Sequence, residues 1–350
     1  MFFSKPKNIL GIDIGTSHIK AVELRPDPIK PFLVSYGMVN VVLPPDATPG
    51  TDPIAQVADV LSALHQKAQF TTNRVILSLP SNVAFVSVFD FPKMGERELQ
   101  NAVEFKAQQF IPLPMTDVNF SWQVLDETPV SSKDHEAVEG KVRVLLTAVP
   151  KNVVNNYLQV LQQAKLEPVA IEIESISAIR SLIPPTSTDS VLIVDVGAKS
   201  TIVSLVHGGH LFASRHVSVG GDSITSSIAK SLGITFERAE QLKRSPESSD
   251  TATPAAALAS SVVGLIRNEV QQMILIAENH GKSIAKIILT GGGARYQGFT
   301  GLMSDMGPAV EAGNPLVRIA YDPQFGTALA QASTQLSIAI GLALRSAETV

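Results

Sequence analysis

The chain of 350 residues contains no cysteine. That excludes disulfides, thiolate zinc sites and thiol catalysis. Excess charge of either sign is also lacking, with 28 lysines and arginines against 32 aspartates and glutamates. No basic run is interleaved with aromatics, so nothing favours nucleic acid as a ligand. The seven histidines include no H-x-x-x-H pair, which argues against a histidine metal site. Long apolar runs are missing too. The most lipid-like stretch, Leu336–Leu344, is too short to span a bilayer and ends at Arg345, so it reads as a buried helix. Met1–Lys7 runs straight into the first strand without an apolar signal core, so a cytoplasmic location is expected. Familiar motifs fail in turn. There is no G-x-x-x-x-G-K-[ST], of which Gly197-Ala198-Lys199-Ser200 is only the tail. Gly291–Tyr296 misses the last glycine of G-x-G-x-x-G, and no G-x-S-x-G elbow occurs.

With 45% apolar and 17% charged residues, the composition is that of a globular protein long enough for two domains. Two aspartate–glycine strand-turns stand out: Leu10-Gly11-Ile12-Asp13-Ile14-Gly15-Thr16 and Val194-Asp195-Val196-Gly197-Ala198-Lys199-Ser200-Thr201. Each joins an apolar strand to a second one, and the late triplet Gly291-Gly292-Gly293 follows. Glycine lets main-chain N–H groups approach an anion, and Thr16 and Ser17 add short hydroxyl donors. A carboxylate repels phosphate, so Asp13 and Asp195 are expected to act through Mg²⁺ or a metal-bound water. Lys20, on the outgoing strand, returns positive charge. One such turn alone is an ordinary β-turn; two copies with a glycine triplet describe a split phosphate clamp.

Periodicity predicts three strands over 9–42, a helix over 54–68 and a buried strand over 75–80. A different unit follows, with a strand over 85–91, a helix over 96–110, strands over 118–125 and 141–149 around a polar loop 127–140, and a helix over 153–164. This β-α-β-β-α unit lies between the two hairpins, and the alternating Phe85–Phe91 reads first as its core. A strand over 169–174 then leads into a helix capped by Ser175 and running to about 182. Pro184–Asp189 reads as a linker. Beyond the second hairpin, Gly220 and Gly221 open a helix over 224–232 and are expected to offer free N–H groups to an anion. Helices over 235–244 and 256–280, separated by the loop 245–254, and a strand over 286–289 complete this half.

The ordered set Gly11-x-Asp13-x-Gly15-Thr16 with Lys20, the acidic segment around Glu172 and Glu174, Asp195-x-Gly197, Gly220-Gly221, Thr290–Ala294 and the small-residue helix with Gly341 resembles the actin, Hsp70 and sugar-kinase superfamily. The position of the insertion resembles the FtsA branch. Within that branch, Ile9–Ser17, Ile19–Leu24 and Gln109-Phe110-Ile111-Pro112-Leu113-Pro114 resemble the PilM family of type IV pilus assembly proteins.

The resemblance implies an α/β fold of duplicated actin-like (ribonuclease H-like) domains with an inserted β-α-β-β-α subdomain. The first domain would comprise 1–81, 166–185 and 334–350, the insertion 82–165, and the second domain 186–333, with a subdomain at about 222–285. It implies ATP and Mg²⁺ as cofactors. Asp13 and Asp195 would organise the metal through water. Gly15, Thr16, Ser17 and Gly197 would hold phosphates, with Lys20 adding charge. Gly220 and Gly221 would lie beside the nucleotide, Glu240 and Lys243 near ribose or base, and Gly291, Gly292 and Gly293 under the adenosine. For Glu240 and Lys243 the alternative is a solvated i, i+3 helix pair. Glu172 would position water for attack on the γ-phosphate, or be an ordinary acidic strand end. Lys199 either assists phosphate or points to solvent.

Binding is expected, hydrolysis at most slow. The implied partner is the amino-terminal cytoplasmic peptide of the inner-membrane protein PilN, received between the first domain and the insertion; self-association is a further expectation. Two other functions remain open. A small-molecule kinase would use the same clamp, although no acceptor site is identifiable. An FtsA-like division scaffold would carry an amphipathic carboxy-terminal helix, which Ser346–Val350 does not supply.

Overall fold

The computed structural model describes residues 7–27, 29–41, 52–128, 140–245, 254–296 and 298–348. The expected loop Pro44–Gly50, most of the loops 127–140 and 245–254, Met1–Pro6 and the last two residues lie outside the described residues.

In the first half β1 (Ile9–Ile14) is buried at every position, because layers of helix cover both faces of its sheet. It turns into β2 (His18–Arg25) and β3 (Phe32–Asn40). Helix α1 (Pro53–Lys67) follows, started by Asp52, whose carboxylate accepts from the Ile54 and Ala55 amides, with proline at the first helical position. β4 (Arg74–Leu79) returns parallel to β1. The insertion contains β5 (Phe85–Pro92), α2 (Glu96–Phe110), β6 (Val118–Thr128), β7 (Lys141–Pro150) and α3 (Lys151–Gln163). β8 (Glu167–Ile173) closes the first sheet and α4 (Glu174–Leu182) leads away.

The second half runs β9 (Ser190–Val196), β10 (Thr201–His207), β11 (His210–Val217), α5 (Gly221–Leu232), α6 (Phe236–Arg244), α7 (Pro254–Asn279), β12 (Ile284–Thr290), α8 (Gly298–Met303) and β13 (Ala309–Ala312). α9 (Gly326–Ala332) and α10 (Ser337–Glu348) end the described chain. The sheet orders are β3-β2-β1-β4-β8 and β11-β10-β9-β12-β13. In each, two antiparallel ladders are followed by two parallel ones. The halves are thus copies of one topology, and the expected actin-like duplication is borne out.

Three placements differ from expectation. Ser175 does not cap α4: the helix begins at Glu174, and the Ser175 hydroxyl is buried inside it with no hydrogen-bond partner among the described residues. α3 does not belong to the insertion's own core. Leu99, Val103 and Ala107 of α2 pack on the β5-β7-β6 sheet, whereas Tyr157, Val160 and Leu161 of α3 pack against Val57 and Leu61 of α1. Leu316, Ile319, Leu329 and Ala332 join Val22, Leu24 and Leu33 of the first sheet, earlier in the chain than residue 334. The run Leu336–Leu344 is buried, as its composition requires. Among the described residues no single helix is long and apolar enough to cross a membrane.

Candidate functional site

Because β1 and β9 hold equivalent positions in their sheets, both aspartate–glycine turns project from corresponding strand ends. They face a cavity of about 310 Å³, within the range of small-molecule sites. Of the expected residues, Asp13, Gly15, Thr16, Ser17, Lys20, Asp195, Gly197, Gly221, Glu240, Lys243, Gly291, Gly292 and Gly293 line it. Gly220 and Glu172 do not.

The turns are closed by their own glycines: Gly15 N–H donates to His18 O at 3.0 Å and Gly197 N–H to Ser200 O at 2.9 Å. These two amides are therefore spent, contrary to a direct phosphate role. The amides of Thr16, Ser17, Ala198 and Lys199, at the turn tips, have no intramolecular acceptor among the described residues. The start of α5 is likewise committed. Gly221 N–H donates to Gly197 O and Asp222 N–H to Ala198 O, at 2.9 and 2.8 Å, while Gly220 N–H donates to Ser223 Oγ. The expectation of free amides at Gly220 and Gly221 is thus corrected: α5 docks on the second turn.

Charge concentrates beneath the turns. Register places Asp13 opposite Lys20 on the antiparallel β1–β2 ladder. Lys20 Nζ lies 2.8 Å from Asp13 Oδ2, and Ser78 Oγ donates to Oδ1 at 3.0 Å. Asp195 and Glu174 share this space. Burial alone would lower the Lys20 pKa, but Asp13 by charge and hydrogen bond, with Asp195 and Glu174, raises it above the usual lysine range. Burial pushes Asp195 up to about 6, with Lys20 opposing and Asp13 reinforcing. Burial, then Asp13 and Asp195, pushes Glu174 up to about 8, against the Ser81 amide that hydrogen-bonds its carboxylate. Three carboxylates around one lysine leave a deficit of positive charge. Among the described residues no set of three or more acidic or histidine side chains converges as metal ligands. The two turn aspartates alone are donors of the kind that hold a divalent cation through water and a bound anion rather than by direct ligation, with Asp195, unlike Asp13, not paired to a lysine at salt-bridge distance.

Glu172 was expected to position water, but its carboxylate is taken by Arg180 at 2.5 and 2.7 Å and by Ser177 at 2.7 Å. Arg180 also donates to Gly341 O at 3.0 Å, so this pair fastens α4 to α10. Of the two acids at this strand end, Glu174 is the one that faces the cavity. Glu240 and Lys243 are not a solvated pair. Lys243, buried on α6, lies 2.6 Å from Glu240 and donates to Gly221 O and Thr225 Oγ1 on α5. Arg244 binds the other Glu240 oxygen. On the far side Gly291 has φ +85°, a left-handed conformation that favours glycine, and its amide donates to Thr334 O. Thr290 Oγ1 meets Thr334 O and Ser337 Oγ at 2.9 and 2.6 Å, joining the glycine triplet to the start of α10. His18, Asn82, Asp222 and Gln335 also line the cavity and were not foreseen; His18 alone had a signal, its place inside the first hairpin.

Glu174 sets a pH dependence. Its native pKa lies above the unfolded value, so between roughly pH 4.5 and 8 the folded state binds more protons and stability falls as pH rises. Melting of the ligand-free protein should show this fall, and Glu174→Gln should flatten it and raise stability near the upper end. An unchanged profile would mean that the Glu174 carboxylate is not buried as described.

Duplicated ribonuclease H-like halves around such a cleft define an actin-like fold. The family model for type IV pilus assembly protein PilM matches residues 11–347. The chain belongs to that family. Among solved structures it is similar to the PilM–PilN type IV pilus biogenesis complex, with TM-score 0.81 and 24% identity over 98% of this chain and 99% of that one. It is also similar in fold to MreB5 of Spiroplasma citri bound to ADP, with TM-score 0.51 and 13% identity over 97% and 95% of the two chains. Over 201 residues it is 24% identical to the cell division protein FtsA of Bacillus subtilis (strain 168). That match covers 51% of this chain and 46% of FtsA, about half of each.

Proposed function

We propose that this member of the pilus assembly family is a nucleotide-dependent adaptor. ATP with Mg²⁺ would occupy the cleft between the halves, and closure around it would be read by a membrane-anchored partner. The carrying observation is that both turns, the glycine triplet and the α6 pair meet at one cavity, in which Asp13, Asp195 and Glu174 surround Lys20. The tip amides of Thr16, Ser17, Ala198 and Lys199 would hold phosphates. Asp13 and Asp195 would hold the metal through water, and Glu240 and Lys243 would border the ribose or base. Glu174, in place of Glu172, would face the attacked phosphate. That a protein of the same fold, MreB5, is bound to ADP supports this reading.

The partner follows from the similarity to the PilM–PilN complex: a PilN-like amino-terminal peptide, lying between the first half and the insertion. The outer side of β8, the edge of the first sheet next to the insertion, would take an extended segment, and exposed Val169 lies on it. The protein would then be cytoplasmic and reach the inner membrane through that partner. The domain division we favour assigns α3, and the chain from about Asn314 onward, to the first half. Capture of an immobilised PilN-type amino-terminal peptide tests partner and switch together. The amount retained should differ between Mg–ATP and no nucleotide; equal amounts would remove the switch, and no capture would remove the partner.

A further inference from the structure

The insertion arises from the first half, between β4 and β8, yet one face of its sheet is held by the second half. Val86 and Val88 of β5, Leu145 of β7 and Leu125 of β6 pack into one apolar cluster with Val206, Leu211 and Ile288 of the second half, a cluster that Ile179 of α4 and Ile183 just beyond it also join. Polar contacts frame that cluster. Arg143 of β7 donates to Asp90 of β5 through Nε and Nη2, at 2.8 and 3.1 Å. Its guanidinium carbon lies 5.3 Å from the centre of the Phe212 ring on β11. Lys282 Nζ lies 5.2 Å from the same ring centre, and the His280 ring meets it edge-on at 5.1 Å. A ring contacted by two cations is a directional junction, unlike a greasy face that slides freely. The linker Pro184–Asp189 passes beside it, and Pro185–Thr188, Arg143 and Phe212 share one groove that has no residue in common with the nucleotide cleft.

We propose that the insertion is a latch across the two halves: the Asp90–Arg143 pair and the apolar face of β5 and β7 grip Phe212 and Leu211, so that the cleft opens only when this junction breaks. The inference rests on the cleft being the nucleotide site. It makes the latch a regulator of that site, because the insertion joins β4 and β8, whose sheet carries the first turn, to β11, whose sheet carries the second. Coupling of this kind is reciprocal. A partner that pulls the insertion away from Phe212 would loosen the hold on nucleotide, and bound nucleotide would resist the pull by the same factor.

Arg143→Leu and Phe212→Ala, separately and combined in the full chain, test this. Release of a fluorescent ATP analogue should be about fivefold faster in each single variant, the factor expected for loss of one partly shielded cation–aromatic contact. The double variant should fall short of the combined effect of the two singles, since the Arg143–Phe212 contact is lost in both. Amide exchange without nucleotide should rise at the turns, residues 13–18 and 195–201, which lie away from the substitutions. Arg143→Leu keeps an apolar stem and remains informative where Phe212→Ala fails to fold. Unchanged exchange at both turns in folded variants would overturn the latch, as would unchanged release. If the wild-type chain binds no nucleotide, the nucleotide reading falls, while exchange at the turns still decides the latch.

Discussion

Gly341→Ala should destabilise the protein by about 3 kcal/mol or more, at the upper end of what overpacking costs. A Cβ at Gly341 would lie 1.8 Å from the Ser177 main-chain oxygen, and neither side can yield alone. Ser177 sits in α4 and Gly341 in α10, which cross here with Arg180 bonded to Gly341 O. α10 is also pinned from the other side, since a Cβ at Gly11 of β1 would lie 2.2 Å from Ala339 O. Moving α10 away from α4 therefore drives it into β1. The midpoint of thermal melting should fall by roughly 4 °C or more. Gly264→Ala is the matched control. Nothing lies within 4 Å of its Cβ position on α7, so it should be neutral or stabilising by about 0.5–1 kcal/mol. Equal melting of the two variants would refute the crossing.

Lys20→Met should be at least as damaging, for an electrostatic reason. Lys20 is the cation among Asp13, Asp195 and Glu174. Removing one partner of a buried pair costs about 3–5 kcal/mol, because the remaining charge stays desolvated and uncompensated. The native pKa of Lys20 is raised, so its stabilisation is fully present at neutral pH and is lost only as pH rises through that raised value. The loss in Lys20→Met should shrink towards pH 5, where Asp195 takes up a proton and joins Glu174 in the neutral form. Denaturant unfolding at pH 5 and at neutral pH measures this, and adding Asp195→Asn should recover part of the loss at neutral pH. A Lys20→Met protein as stable as wild type at neutral pH would mean that the carboxylates do not share one buried site.

The hairpins were legible because aspartate, glycine and flanking β-branched strands are local signals, and the ladder then fixes Lys20 opposite Asp13. Glu172 and Glu174 show where that legibility ends. On a continuous strand, residues two apart face the same way, so the Ile171–Glu174 pattern does not say which acid reaches the cleft. The strand stops at Ile173 and Glu174 opens a helix, which turns its carboxylate into the cavity while Arg180 claims Glu172. The spent amides of Gly15, Gly197 and Gly221 were equally hidden, because a glycine's identity does not reveal which carbonyl its N–H finds. The attachment of α3 to α1, and of the insertion's sheet to Leu211 and Phe212, joins residues far apart in sequence. Periodicity shows that such faces are apolar, not what covers them.

Calorimetric titration with Mg–ATP of the wild-type chain and of Asp195→Asn decides whether the two turns form a nucleotide clamp. Asp195 is preferable to Asp13, whose loss would also strand Lys20 and confound binding with stability. The wild-type chain should bind saturably and the variant at least about tenfold more weakly, a difference of about 1.4 kcal/mol. No binding to wild type, or the same affinity in both, would contradict the clamp.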